Sequence, residues 1–304
     1  MRRLIRHFLA SYIDSEIPTS SSVPAATSDA GEPLGISTIS LDYPVNPRCR
    51  VSEHSPGGRA ITYLIDQTRP RQLQYIREIG ALTDRLAAIP LRSDGSDKAA
   101  WINDMLPGLD AAFLYAMTAL HKPRRYIEIG SGTSTKFVRQ AIRDYGLETK
   151  IVSIDPEPRA DIDDLCDEVI RSPFEDVPMS FFASMSSDDV FFLDGSHRCL
   201  QNSDVTVFFG EIIPALPAGC LYGIHDIFLP QDYPQAWAQR FYSEQYVLGA
   251  YLLGGAGGDT VEFPAWHLCT QPDSWAAINE VFKWDASGEV ERHGGAFWMR
   301  RNSG

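Results

Sequence analysis

Five short apolar runs recur between residues 125 and 225: RYIEI (125–129), KIVSI (150–154), EVIR (168–171), VFFLD (190–194) and CLYGIH (220–225). A strand that is apolar at nearly every position needs cover on both faces, and helical crossovers supply such cover to a parallel sheet. The chain is therefore expected to be α/β and doubly wound, with a Rossmann-like, mostly parallel sheet. Two later runs, FPAWHLC (263–269) and GAFWMRR (295–301), flank a helical DSWAAINEVFKW. They predict a late strand, a helix and an antiparallel C-terminal strand that closes the sheet. At 304 residues, 44% of them hydrophobic, the chain can bury a core of that size.

Upstream of the first run the apolar period changes to that of helices, with Tyr75, Ile79 and Leu82, then Leu109, Ala112, Phe113 and Ala116, in register. Residues 36–120 read as a helical cap region and 121–304 as the main domain. Residues 1–35 read as an N-terminal segment and flexible linker, since IPTSSSVPAATSDAGEPLG (17–35) has little to bury. The opening MRRLIRHFLASYI is basic and mildly amphipathic, but polar DSE follows it, which predicts a surface helix rather than a leader. No stretch approaches the ~20 apolar residues of a membrane span. Five scattered cysteines without a CxxC spacing suggest neither a disulfide framework nor a zinc site, which favours a reducing, cytoplasmic setting. The formal charge of −13, with acids dense between Asp155 and Asp176, repels a phosphate backbone. The expected partner is a small-molecule substrate rather than nucleic acid or a membrane, and nothing opposes a homo-oligomer.

The first strand runs into YIEIGSGTST (126–135), where two glycines two apart lead into a helix. Such a turn lets a ligand approach bare backbone and a helix N-terminus. A dinucleotide fingerprint needs a third glycine at position 135, which is Thr135 here, so an NAD-dependent oxidoreductase is the weaker reading. Glu128, Gly130, Gly132 and the small Ser134 instead give an E-x-G-x-G-x-small pattern, which resembles the first motif of class I S-adenosylmethionine-dependent methyltransferases. That resemblance implies a loop of Gly130, Ser131, Gly132 and Ser134 passing the amino-acid part of the cofactor. Glu128 would hold the loop or the cofactor ammonium. It also implies an acid at the end of the second strand for the ribose hydroxyls, where Asp155 stands. A carboxylate suits a vicinal diol because each oxygen can accept one hydroxyl.

The fourth run ends in DGSH (Asp194, Gly195, Ser196, His197) and the fifth in HD (His225, Asp226). The C-terminal ends of neighbouring strands open on one crevice in a doubly wound sheet, so these groups should converge beside the glycine turn. DGSH, then SDVTVFFGEIIPALPAG, then HD, is similar to the branch containing macrocin and mycinamicin sugar O-methyltransferases and cephalosporin hydroxylase. The similarity spans roughly residues 101–300. It implies that Asp194 and Asp226 hold Mg²⁺ or another divalent cation, that Asp194 also borders the cofactor, and that His197 is the general base. At position 225 that branch carries an acid, whereas His225 here would suit a softer ion. His225 in an acid position also leaves open a methyltransferase-fold binding protein without turnover. Asp232, Tyr233 and Glu244, after the fifth strand, are weaker candidates for touching substrate.

Overall fold

The computed structural model describes residue 43 and residues 45–158 and 161–302, so the segment and linker expected over 1–35 lie outside the described residues. The chain divides into two compact units, one of Met1–Arg50 with Tyr233–Phe241 and one of Val51–Asp232 with Tyr242–Gly304. In the smaller unit, Gln235–Arg240 forms a 3-10 turn. There the Cys49 amide donates to Gln235 Oε1 at 3.0 Å, and the Arg240 guanidinium lies 4.1 Å from the Trp237 ring centre.

The larger unit holds a seven-stranded sheet: β1 Arg125–Ile129, β2 Lys150–Ile154, β3 Glu168–Ile170, β4 Val190–Leu193, β5 Leu221–Ile224, β6 Thr260–Pro264 and β7 Phe297–Arg300. Its order is β3-β2-β1-β4-β5-β7-β6. All pairs from β3 to β5 are parallel, and β7 runs antiparallel to both β5 and β6. The doubly wound sheet and its antiparallel C-terminal strand are as the apolar runs imply.

Those runs are continuous because the sheet is buried on both sides. Alternate residues go to opposite layers, as pleating requires: Tyr126 and Phe192 enter one apolar cluster, Ile127 and Phe191 the other. Phe192 stacks on Trp298 of β7 with ring centres 5.1 Å apart, and the helix Gly108–His121 brings Phe113 onto Phe263 at 4.4 Å. Trp101 is buried against Phe137 and Phe282.

Upstream, the apolar-periodic segments become helices at Pro56–Asp66, Arg69–Gly80 and Thr83–Ala87. One element differs from expectation. FPAWHLC is strand only to Pro264, and Ala265–Thr270 is helical. Proline offers no amide to continue a ladder, and Ala265 and Leu268 bury their apolar surface from a helix face as well as they would from a strand. Among the described residues, no helix is long and apolar enough to cross a membrane.

Chain order places β1 at the centre, leaves it for β2 and β3, then returns to β4 on its other side. The crevice where strand order reverses is the place a ligand enters such a sheet.

Candidate functional site

The crevice is floored by the glycine turn. Gly130 has φ +78°, and a Cβ there would stand 1.9 Å from the Asp194 carbonyl oxygen, so the β1 and β4 ends touch through bare backbone. Gly130 N–H donates to Ile154 O at 3.2 Å and Asp194 N–H to Ile129 O at 2.9 Å. Gly132 is different: its backbone is extended, and a Cβ would meet nothing within 4 Å. The second glycine is therefore not required by packing against the protein, and it borders open space at the start of the helix Thr133–Tyr145.

The other turn residues are held from below. Glu128 is fully buried, and its carboxylate accepts from Tyr126 Oη at 2.7 Å and Thr135 Oγ1 at 2.5 Å. Thr135 Oγ1 in turn accepts the Gly132 amide at 3.1 Å. Burial pushes the Glu128 carboxyl up to about 7, against the pull of hydrogen bonds from Ser134, Thr135 and Tyr126. Ser131 and Ser134 are buried, with Ser131 Oγ 2.7 Å from Ser153 Oγ. Asp155, at the end of β2, accepts the Ser131 amide on Oδ2 at 3.0 Å and the Glu157 amide on Oδ1 at 2.8 Å. Among the described residues each oxygen has one such partner, which leaves it a further lone pair. Thr135, which breaks the dinucleotide pattern in sequence, is thus the link between Glu128 and the turn.

Beside the turn, the loops after β4 and β5 bring Asp194, His197, His225 and Asp226 together. His197 Nε2 lies 3.3 Å from Asp194 Oδ1 and 3.4 Å from Asp226 Oδ2. His225 Nδ1 lies 3.4 Å from Asp194 Oδ1 and 3.6 Å from Asp226 Oδ1. Each imidazole is backed by a further buried carboxylate: His197 Nδ1 meets Glu244 Oε2 at 2.9 Å, and His225 Nε2 meets Asp110 Oδ2 at 3.2 Å. Asp110 also accepts the Gly295 and Ala296 amides, which fixes it as an acceptor.

Two residues of this cluster are strained. His197 has φ +59° and Asp226 φ +56°, in the left-handed region that side chains other than glycine rarely occupy. The turn carrying His197 is tied at Ser196, whose amide and hydroxyl both donate to Asp204 at 2.5 Å.

Electrostatics follow from that crowding. Burial lowers the affinity of His197 for a proton, but Asp194, Glu244 and Asp226 outweigh it and hold the imidazole well above the ordinary histidine range. For His225 burial is likewise outweighed, chiefly by Asp194 and Asp110. Burial alone would raise Asp194, yet the two imidazoles bring it below the usual carboxylate range. The surrounding carboxylates thus favour the imidazolium form of both rings. Among the described residues no group of three or more His, Cys, Asp or Glu side chains stands arranged to hold a metal ion. At Asp194 and Asp226, imidazole nitrogens take the positions around the carboxylates.

Sequence reasoning brought the right strand ends together but missed three supports. Asp110 was legible as a lone acid in the otherwise apolar GLDAAFLYAMTALH. Thr135 had no signal beyond being the wrong residue for a glycine. Glu244, considered only for substrate contact, faces His197 instead.

Residues 127–227 match the family model described as a methyltransferase domain. No curated protein matches the chain. Among solved structures, the SAH-bound methyltransferase PaMTH1 of Podospora anserina is similar at 16% identity, over 75% of this chain and 88% of that one, with a TM-score of 0.33. A putative O-methyltransferase from Klebsiella pneumoniae is similar at 13% identity over 81% and 97%, with a TM-score of 0.37. The O-methyltransferase from Bacillus cereus in complex with SAH shows 14% identity over 79% and 96%, at 0.33. Likenesses this distant say nothing of substrate.

Proposed function

We propose that the chain is an S-adenosylmethionine-dependent methyltransferase that methylates a hydroxyl of a small polar molecule, a sugar or other natural product, with His197 as general base. The observation that carries this reading is one juxtaposition. A glycine turn open at Gly132, within reach of Asp155, lies beside a buried histidine whose Nε2 faces the crevice carboxylates Asp194 and Asp226.

Gly130, Ser131, Gly132, Ser134 and Asp155, with Asp194 at the border, are the residues that would hold the cofactor, and Glu128 would act through the loop. S-adenosylmethionine would supply an electrophilic methyl group on a sulfonium sulfur. Its positive charge suits a crevice in which Asp110, Asp194, Asp226 and Glu244 outnumber the two imidazoles that meet them. The free lone pairs of Asp155 suit a diol.

Transfer from a sulfonium needs an aligned nucleophile and little covalent help. An alcohol, with a pKa far above 7, gains most from a base at hydrogen-bonding distance. His197 Nε2 can take the hydroxyl proton once it has shed its own, and the charge it then carries is already matched by Asp194 and Asp226. The divalent cation implied for Asp194, His225 and Asp226 takes no part in this reading, because imidazole nitrogens occupy the positions around both carboxylates. Sugar acceptors follow the branch that DGSH and HD resemble.

One outcome concerns pH. A histidine whose pKa is raised needs a higher pH to shed its proton and act as a base. The rate of methyl transfer should therefore keep climbing as pH rises above the ordinary histidine range. The reading itself is tested by incubating the protein with S-adenosylmethionine carrying a labelled methyl group and a panel of sugars and hydroxylated natural products, from pH 6 to 10, with and without Mg²⁺ or Mn²⁺. Label should appear in an acceptor and increase with pH. A pH profile already flat below 7 would remove His197 as the base.

A further inference from the structure

Resting on that reading, we propose that Glu244 is the positioning residue for the base: it fixes the His197 ring so that Nδ1 carries a proton donated to Glu244 and Nε2 is the nitrogen presented to the crevice.

Ring and backbone of His197 are held from a single element. The helix Glu244–Leu253 begins at Glu244, and the amides of Ser243 and Glu244 donate to the His197 carbonyl at 2.8 and 3.2 Å. Ser243 Oγ accepts the Cys199 amide at 2.8 Å, and the Tyr242 ring lies 4.6 Å from the imidazole centre. Three consecutive residues thus clamp the turn in which His197 takes its left-handed backbone. Glu244 then reaches Nδ1 at 2.9 Å, the shortest of the ring's three carboxylate contacts.

A structural role alone accounts poorly for a carboxylate here. Glu244 is fully buried, its Oε1 has no hydrogen-bond partner, and burial pushes its carboxyl up to about 7. A glutamine would fill the same space without burying a charge. An acid in a helix's first turn is favourable, but an exposed side chain provides that as well. What the buried acid adds is a strong acceptor at Nδ1, and the nitrogen a histidine exposes is set by the bond its other nitrogen makes.

The experiment compares ring-proton NMR of the full-length protein with Glu244→Gln, with His197→Gln assigning the resonance by its loss. S-adenosylhomocysteine titrations run in parallel. The wild type should show a downfield Nδ1–H resonance absent from His197→Gln. In Glu244→Gln, which keeps the side chain's shape, that resonance should move upfield or vanish, while affinity for S-adenosylhomocysteine stays within about threefold. Glu244→Asp, shorter by one methylene, should show the same loss. An identical resonance in wild type and Glu244→Gln would overturn the assignment, as would the absence of any such resonance in the wild type. If the wild type fails to bind S-adenosylhomocysteine, the methyltransferase reading falls, but the NMR comparison still decides what Glu244 does.

Discussion

Replacing His197 with alanine should lower kcat for methyl transfer by about 10²- to 10⁴-fold, the range a positioned general base contributes, while affinity for S-adenosylhomocysteine changes by no more than about threefold. The asymmetry follows from the site. His197 is reached from the crevice through Nε2, whereas the turn that would receive the cofactor is held by Glu128, Thr135 and Asp155 and not by His197. Truncation removes the imidazole that faces both Asp194 and Asp226 through Nε2. Steady-state kinetics alongside calorimetry separates the two effects. Equal losses in kcat and in cofactor affinity would mean that His197 shapes the cofactor site and does not transfer the proton.

The two glycines of the turn should respond in opposite ways to the same added methyl group. In Gly130→Ala, Cβ would overlap the Asp194 carbonyl oxygen at a φ of +78°. Left-handed strain and overpacking each contribute, for a total of about 2–5 kcal/mol. That is a large part of a typical folding stability and corresponds to melting about 5–15 °C lower for a domain of this size. In Gly132→Ala, Cβ would meet nothing within 4 Å among the described residues beyond its chain neighbours. Its melting temperature should stay within a few degrees of the wild type, while affinity for S-adenosylhomocysteine falls about tenfold or more as the methyl group enters the space left for the ligand. A Gly132→Ala protein that binds as tightly as the wild type would show that the open side of the turn is not where the cofactor lies.

Much of this was legible in sequence because it follows from burial and topology. A run such as VFFLD can satisfy all its positions only when both faces are covered, so the parallel sheet and the gathering of Gly130, Asp155, Asp194 and His225 at one end could be deduced together. The sixth run was less legible, since FPAWHLC is apolar enough for a strand or a buried helix, and only packing places the break at Pro264. The supports of the site were mostly hidden. Asp110 lies 115 residues from His225, and Glu244 47 residues from His197. Such pairings are made by the crossing of elements, and no local period records them. The charge state was hidden too. Paired aspartates in sequence suggest a cation, but two histidines, whose affinity for a proton those carboxylates raise, are folded between them.

The most direct measurement is a calorimetric titration of the full-length protein and Asp155→Ala with S-adenosylhomocysteine. The wild type should bind at one saturable site. Removing a carboxylate that would accept two hydroxyls should cost about 2–4 kcal/mol, or roughly 30- to 1,000-fold in Kd. No saturable binding by the wild type, or unchanged affinity in folded Asp155→Ala, would contradict a nucleoside held between the turn at Gly130 and the end of β2.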